Sequence, residues 1–430
     1  MVKVITYGTY DYLHRGHIRL LERAKKLGDY LIVGVTADDF DKMRGKINVQ
    51  QSLVERIEAI RATGLADEII VEEYEGQKID DIKRLGIDIF TVGSDWKGYF
   101  DYLNEFCKVV YLDRTEGISS TIIRNDKIKI KIGLLGEERI IEKFKNECKF
   151  VNGLEAVEFS NISDYEEQID SIDALYLVTN PSHHYEQVKI ALLKCKHVLC
   201  ETPIALNGKQ SIELHELAER NKCILMDGIK TAYATAYSRM LFLAKGGKIG
   251  KIVSVDATAT SQIDLEKITK NDVSETWNSI NAWGPTTMLP VFQLLGTNYK
   301  EKRIISKMYN ETFDIFTKID FVYNDSVATI KVGKGVKSEG DLVITGTKGY
   351  IYVPAPWWKT DYFEIRYEDS SQNRRYFYQL EGEGIRYELV AFLDAIENGS
   401  DRGYISRNIS DAICNVIEDF YKQNNFISIE

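Results

Sequence analysis

Short apolar runs alternate with segments of helical period along the first 112 residues. Residues 2–6 (VKVIT) form a run that closes on Gly8-Thr9-Tyr10-Asp11, and 18–27 carry Leu20, Leu21, Ala24 and Leu27 at helical spacing. This pattern predicts strand, turn, helix. Residues 30–36, 68–71, 87–92 and 108–112 read as further strands, with helices over 52–63 and 77–85 between them. Strands that alternate with helices pair in parallel, and such a sheet is covered on both faces.

Polarity rises briefly over 125–131 (NDKIKIK), and the apolar run Ile130 to Leu135 then restarts the pattern, so a domain boundary is placed there. A second α/β unit follows: helix 137–147, strand 174–178, helix 184–194, strand 197–200 and helix 209–220. From 251 the pattern changes to successive strand-like runs (251–260, 303–310, 317–323, 326–332, 340–345, 349–353, 363–367, 374–379), which predict a mainly antiparallel sheet. Helices over 384–397 and 408–423 close the chain. The expected organisation is a domain over 1–126, a second Rossmann-like domain over 129–230 and an α+β domain with an open, mainly antiparallel sheet over 231–430.

Composition narrows the function classes. With 430 residues, 44% hydrophobic and 28% charged, the chain is long enough for more than one buried core and too apolar for disorder. A net charge of −10 argues against nucleic acid as a partner, because phosphate binding along a polymer needs a basic surface. No apolar run approaches the 18 residues of a membrane span, and Asp11 interrupts any leader-like core, so the protein is expected in the cytoplasm and off the membrane. Six scattered cysteines without a C-x-x-C pair suggest neither disulfides nor a zinc knuckle.

The strongest chemical signal is His14-Arg15-Gly16-His17, where the first strand passes into the first helix. Open α/β sheets bind ligands at the carboxyl ends of their strands, and a helix N-terminus there favours phosphate. Gly16 permits close approach, and imidazoles three residues apart can reach one oxyanion. Two of the six histidines fall in these four residues.

Gly8-Thr9-Tyr10-Asp11, His14-x-Gly16-His17, Leu27-Gly28-Asp29-Tyr30, Gly93-Ser94-Asp95-Trp96 and Arg114-Thr115-Glu116-Gly117-Ile118-Ser119-Ser120-Thr121 together resemble the glycerol-3-phosphate cytidylyltransferase family, over about the first 125 residues. The resemblance implies that CTP and a polyol phosphate give a CDP-polyol and pyrophosphate, with Mg²⁺ on the triphosphate, in support of a cell-surface polymer. It also implies that His14 and His17 contact the α- and β-phosphates, that Arg114, Ser119 and Thr121 hold phosphate oxygens, and that Lys46 caps the acceptor or the leaving group. Gly8, Thr9, Tyr10, Gly16, Gly93, Trp96, Thr115, Gly117 and Ile118 complete the implied nucleotide site. Asp11 and Asp95 are its acidic contacts, to acceptor hydroxyl or nucleotide. Arg56 matches a family arginine and is expected at the acceptor with Asp11 and Lys46; a second family arginine is Gly64 here, which leaves the acceptor open within the polyol phosphates.

Residues 173–184 (DALYLVTNPSHH) and 196–206 (KHVLCETPIAL) resemble the Gfo/Idh/MocA family of nicotinamide-dependent oxidoreductases, over about residues 129–430. The residues of its dinucleotide and substrate site would be Gly136, Asn180, Pro181, Glu201 and Thr202. Three departures count against hydride transfer. Glu138 and Ile141 stand where the later glycines of G-x-G-x-x-G belong, Thr202 replaces the lysine of Glu-Lys-Pro, and no acid–base pair is evident in Trp283-Gly284-Pro285-Thr286-Thr287-Met288-Leu289-Pro290. The expectation is a retained fold without redox chemistry or bound NAD(P), acting as scaffold in a homodimer. The alternatives are an active reductase that makes the polyol phosphate, and a ligand-sensing module. His183 and His184 are expected to be structural beside a helix capped by Ser182.

Overall fold

Apolar on both faces, the strands β1 (Lys3–Gly8), β2 (Tyr30–Thr36), β3 (Glu68–Glu72), β4 (Ile89–Gly93) and β5 (Lys108–Leu112) pair in parallel, in the order β3-β2-β1-β4-β5. In this computed structural model the described residues are all except 44–48, 50, 75, 114–129, 152, 160–161, 266–276, 379 and 401–402; the side chains of 39, 42–43 and 162–164 are also left aside. The chain forms two units, Met1–Ile128 and Lys129–Glu430.

Period-two alternation sends Val4 and Ile5 to opposite faces of the first sheet. One core gathers Val4, Leu31, Val33 and Val35 with Leu21 and Ala24 of helix α1 (Arg15–Lys25) and Ile60 of α3 (Leu53–Thr63). The other gathers Ile5, Ile32 and Phe90 with Ile82 of α4 (Gln77–Leu85). A short helix, α2 (Asp38–Met43), was not anticipated. Ser52 and Glu55 form a capping box that starts α3, so the local sequence sets where the chain turns back.

In the second unit β6 (Ile130–Gly136), β7 (Leu154–Glu158), β8 (Ala174–Val178), β9 (His197–Glu201) and β10 (Leu225–Gly228) make another parallel sheet, in the order β10-β9-β8-β6-β7. Its helices are α5 (Glu138–Cys148), α6 (Ile162–Gln168), α7 (Pro181–Leu193) and α8 (Gly208–Arg220). The sequence reading did not include β7, α6 or β10. Helix α9 (Thr235–Lys245) leads to β11 (Ile252–Thr260) and to α10 (Ser279–Leu295).

The third sheet adds β12 (Glu301–Met308), β13 (Asp314–Val322), β14 (Val327–Gly333), β15 (Leu342–Gly346), β16 (Tyr350–Val353), β17 (Tyr362–Arg366), β18 (Arg374–Phe377) and β19 (Phe426–Ile429). The order is β18-β17-β16-β15-β11-β14-β13-β12-β19; only the pairs β11–β14 and β12–β19 are parallel. Helix α10 escaped the sequence reading because it is buried on most sides. Eleven of its 17 residues are inaccessible, it contains Pro285 and Pro290, and no polar face marks its period. Helices α11 (Ile385–Asn398) and α12 (Arg407–Tyr421) follow the sheet.

Candidate active site

Strand order reverses beside β1: the chain runs outward through β2 and β3, then returns to lay β4 on β1's other side. Such a switch point opens a crevice at the carboxyl ends of the strands, here Gly8 and Gly93. His14 stands at that edge as the N-cap of α1. Its backbone is extended (φ −111°, ψ 171°), and Nδ1 accepts from the amides of Gly16 at 3.1 Å and His17 at 3.3 Å. A ring nitrogen that accepts carries no proton, so the proton is assigned to Nε2, which becomes a donor. The His17 ring stacks on His14 with centroids 3.8 Å apart and planes 15° apart. Tyr10 meets His17 edge-on, and its own side chain is buried, so only its backbone belongs to the loop surface.

The loop is fixed from below. Asp11 Oδ1 accepts from the Gln51 amide at 3.0 Å, and Gln51 Oε1 accepts from the Tyr12 amide at 2.7 Å. Arg56 is fully buried: Nε donates to the Gln51 carbonyl (3.1 Å) and Nη1 to the carbonyls of Thr9 (2.7 Å) and Thr36 (2.9 Å), while Nη2 pairs with Asp38. Asp41, also buried, lies 3.6 Å from Nη1 and accepts from Thr9 Oγ1 at 2.8 Å. Expected at the acceptor, Arg56 instead ties the ends of β1 and β2 to α2 and to the start of α3.

Beside the switch point, Tyr7, Gly8, Thr36, Glu72, Lys78, Phe90, Val92, Trp96 and Phe100 line a small pocket. Lys78 is almost fully buried, paired with Glu72, and its Nζ lies 4.8 Å over the Tyr7 ring. Thr36 Oγ1 donates to Glu72 at 3.0 Å. Burial, and then the Asp81 carboxylate, push the Tyr7 phenol far above its usual range, so it stays protonated and donates to Asp81 at 2.8 Å. Sequence reasoning missed Lys78 and Glu72. The signal was there in α4, whose buried residues are Gln77, Lys78, Asp81 and Ile82, a mostly polar inward face.

Of the expected nucleotide residues, the structure brings Gly8, Thr9, Asp11, His14, Gly16 and His17 together at one strand end. Gly93 closes β4, Asp95 is exposed, and Trp96 reaches the cavity. Lys46, Arg114, Thr115, Gly117, Ile118, Ser119 and Thr121 lie outside the described residues.

In the second unit Gly136 has φ +139°, and a Cβ there would lie 2.1 Å from the Val178 carbonyl oxygen, so packing of β6 on β8 requires glycine. Exposed Glu137 and Glu138 begin α5, while Ile141 is buried on that helix. Carboxylates suit the positive end of a helix, and for the same reason they occupy the place of a dinucleotide's pyrophosphate. Asn180, not Ser182, caps α7, accepting from the Ser182 amide at 3.0 Å, with Pro181 in the first turn. His184 is buried between the carbonyls of Pro203 (2.8 Å) and Thr179 (3.0 Å), and burial pushes its imidazole down to about 4. Thr202 is buried, and Glu201 accepts from Tyr176 Oη at 2.9 Å. Burial raises the Glu201 carboxyl and raises Glu388, on α11, well above the usual range; their mutual repulsion adds to Glu388. Both carboxyls also face Lys230, which the sequence reading passed over.

A family model described as cytidylyltransferase-like matches residues 5–126, and one described as an oxidoreductase family with an NAD-binding Rossmann fold matches 139–229. Glycerol-3-phosphate cytidylyltransferase of Bacillus spizizenii is 51% identical over 126 residues, covering 29% of this chain and 97% of that protein. The Staphylococcus aureus enzyme of that name is 46% identical over 130 residues, covering 29% and 95%. The chain belongs to the cytidylyltransferase-like family. Its first unit is a nucleotidyltransferase, and its second carries a Gfo/Idh/MocA-type Rossmann domain. Among solved structures, KijD10, a 3-ketoreductase from Actinomadura kijaniata in complex with NADP and TDP-benzene, superposes with a TM-score of 0.60 at 15% identity, covering 70% of this chain and all of that one. Levoglucosan dehydrogenase with NADH and levoglucosan gives 0.58 at 15%, covering 69% and 97%. At that identity the likeness is one of fold. Among the described residues no helix is long and apolar enough to cross a membrane.

Proposed function

We propose that the first unit transfers CMP from CTP to a small polyol phosphate of the glycerol phosphate class, giving a CDP-polyol for cell-surface polymer synthesis, and pyrophosphate. An acceptor phosphate oxygen attacks the α-phosphorus in line, and the bond to the β-phosphate's bridging oxygen breaks. No covalent intermediate is needed, so the protein's task is positioning and charge stabilisation. The observation that carries this reading is the His14–His17 stack at the switch point, with the His14 proton held on Nε2. From there His14 donates to the transferring phosphoryl group, and His17 stands beside the leaving pyrophosphate. Mg²⁺ supplies charge neutralisation on the triphosphate. The pocket at Lys78 is the proposed acceptor pocket: its ammonium, paired with Glu72 in the free protein, would exchange that carboxylate for the acceptor phosphate, and Tyr7, Trp96 and Phe100 give it walls.

The second unit is proposed as a scaffold and dimerisation module without hydride transfer, a reading supported by Glu137 and Glu138 at the start of α5. Pyrophosphate release from CTP with a panel of polyol phosphates tests the first proposal, and absence of turnover on every acceptor refutes it. Titration of the whole chain with NADH and NADPH by nicotinamide fluorescence tests the second; saturable binding overturns it.

A further inference from the structure

Three ammonium groups of the second unit converge on a single carboxylate. Lys143 on α5, Lys230 just after β10 and Lys359 after β16 place Nζ at 3.3, 3.9 and 3.2 Å from the oxygens of Glu383. The three lysines come from separate parts of the chain, and their side chains are 32–46% exposed, so the cluster is open to solutes. Burial would raise the Glu383 carboxyl, but hydrogen bonds from Lys359 and Lys143 outweigh it and hold the group below its usual range.

The backbone shows how the carboxylate is delivered. Gly382, Glu383 and Gly384 have φ of 56°, 54° and 94°. The left-handed region costs a glutamate conformational energy that glycine does not pay. Gly382 lies so close to Glu147 that a Cβ would fall 2.1 Å from its carboxylate oxygen, and a Cβ on Gly384 would lie 3.7 Å from the Cβ of Lys230. The turn thus holds Glu383 among the lysines, with a glycine on either side about which it can swing.

Charge arithmetic favours a stronger anion than the one now present. Three ammonium groups against the Glu383 carboxylate and one charge shared by the carboxyls behind Lys230 leave the cluster at about +1. At the rim, Arg386 pairs with Glu147 and Glu381. Behind it, Lys230 faces the buried pair Glu201 and Glu388, where mutual repulsion disfavours two full charges. We propose that Lys143, Lys230 and Lys359 form a binding site for the phosphoryl group of a small phosphorylated ligand, and that the Glu383 carboxylate fills this site until the ligand displaces it. A phosphate dianion matches three point charges better than a carboxylate does. This inference concerns the second unit and does not rest on the transfer reaction of the first.

The test is calorimetric titration of the full chain with inorganic phosphate and, separately, with glycerol 3-phosphate, in chloride buffer. An internal competitor that occupies the site most of the time weakens apparent affinity roughly five- to tenfold, so Glu383→Gln should tighten phosphate binding by about that factor. Lys143→Met and Lys359→Met should each weaken it at least tenfold, on the order of one lost charged contact, and the double variant Glu383→Gln/Lys359→Met should lose the gain. Equal gains for the two ligands identify the phosphoryl group as the recognised element; a larger gain with glycerol 3-phosphate adds contacts to the polyol. Unchanged affinity in the lysine variants overturns the proposal, as does weaker phosphate binding by Glu383→Gln. Pyrophosphate release by the same variants reports the first unit separately, so failure there leaves this result readable.

Discussion

Replacing His14 by asparagine separates the two tasks assigned to one ring. Nδ1 caps α1 through bonds of 3.1 and 3.3 Å to the amides of Gly16 and His17, and Nε2–H is the donor offered to phosphate. Asparagine is among the best N-caps, and its Oδ1 can accept the same two amides, but its side chain is too short to place a donor where Nε2 stands. His14→Ala loses both tasks. Loss of the cap costs about 1 kcal/mol, a fall in the melting temperature of the first unit of roughly 3–6 °C; His14→Asn should recover most of it. Loss of one donor to the transferring group costs about 10²- to 10³-fold in kcat, on the order of 3–4 kcal/mol, and should appear equally in both variants. The assay is pyrophosphate release at saturating CTP and acceptor, paired with thermal melts of the same samples. A His14→Asn enzyme with kcat within about threefold of the parent would show that Nε2–H is not used, since that loss lies far below the range for a transition-state donor.

Lys78→Met combined with Glu72→Gln, which avoids leaving a buried carboxylate unpaired, should raise the acceptor KM about tenfold and leave the CTP KM nearly unchanged, because an interaction with one substrate has been removed; the reverse pattern assigns the pocket to the nucleotide. Arg56→Met leaves buried Asp41, Asp38 and the carbonyls of Thr9, Thr36 and Gln51 without their shared donor. It should destabilise the first unit by about 3–5 kcal/mol in urea unfolding, and a loss under about 1 kcal/mol would refute the role of a clamp. Burial pushes the Asp314 carboxyl up to about 6 in the folded chain, against an ordinary 3.8 for an exposed aspartate. Between those values the folded state binds the extra proton, so this group's contribution to stability is greatest below about pH 4 and is lost as pH rises toward 6, by about 3 kcal/mol in all. Asp314→Asn should remove that part of the pH slope in denaturant melts, and an unchanged slope would exclude Asp314 as its source.

Local sequence carried much of the architecture. Strands 30–36, 108–112 and 174–178 and helix 77–85 coincide with the pattern of apolar positions, because each must bury a face whose period is its own. The His14-x-Gly16-His17 motif was legible for the same reason, since a strand end, a cap and two imidazoles lie within one stretch of chain. Helix α10 was not, because a helix enclosed on most sides shows no polar face, and β19 was missed because its partner β12 lies far away in the chain. Tertiary structure alone decided that Arg56 points inward to tie strand ends together, that Lys78 joins Glu72 at a cavity, and that Glu383 meets lysines from three distant segments. A charged side chain acquires a role only from the groups brought against it, and those contacts are made by packing between elements, on which the spacing of residues within any one element is silent.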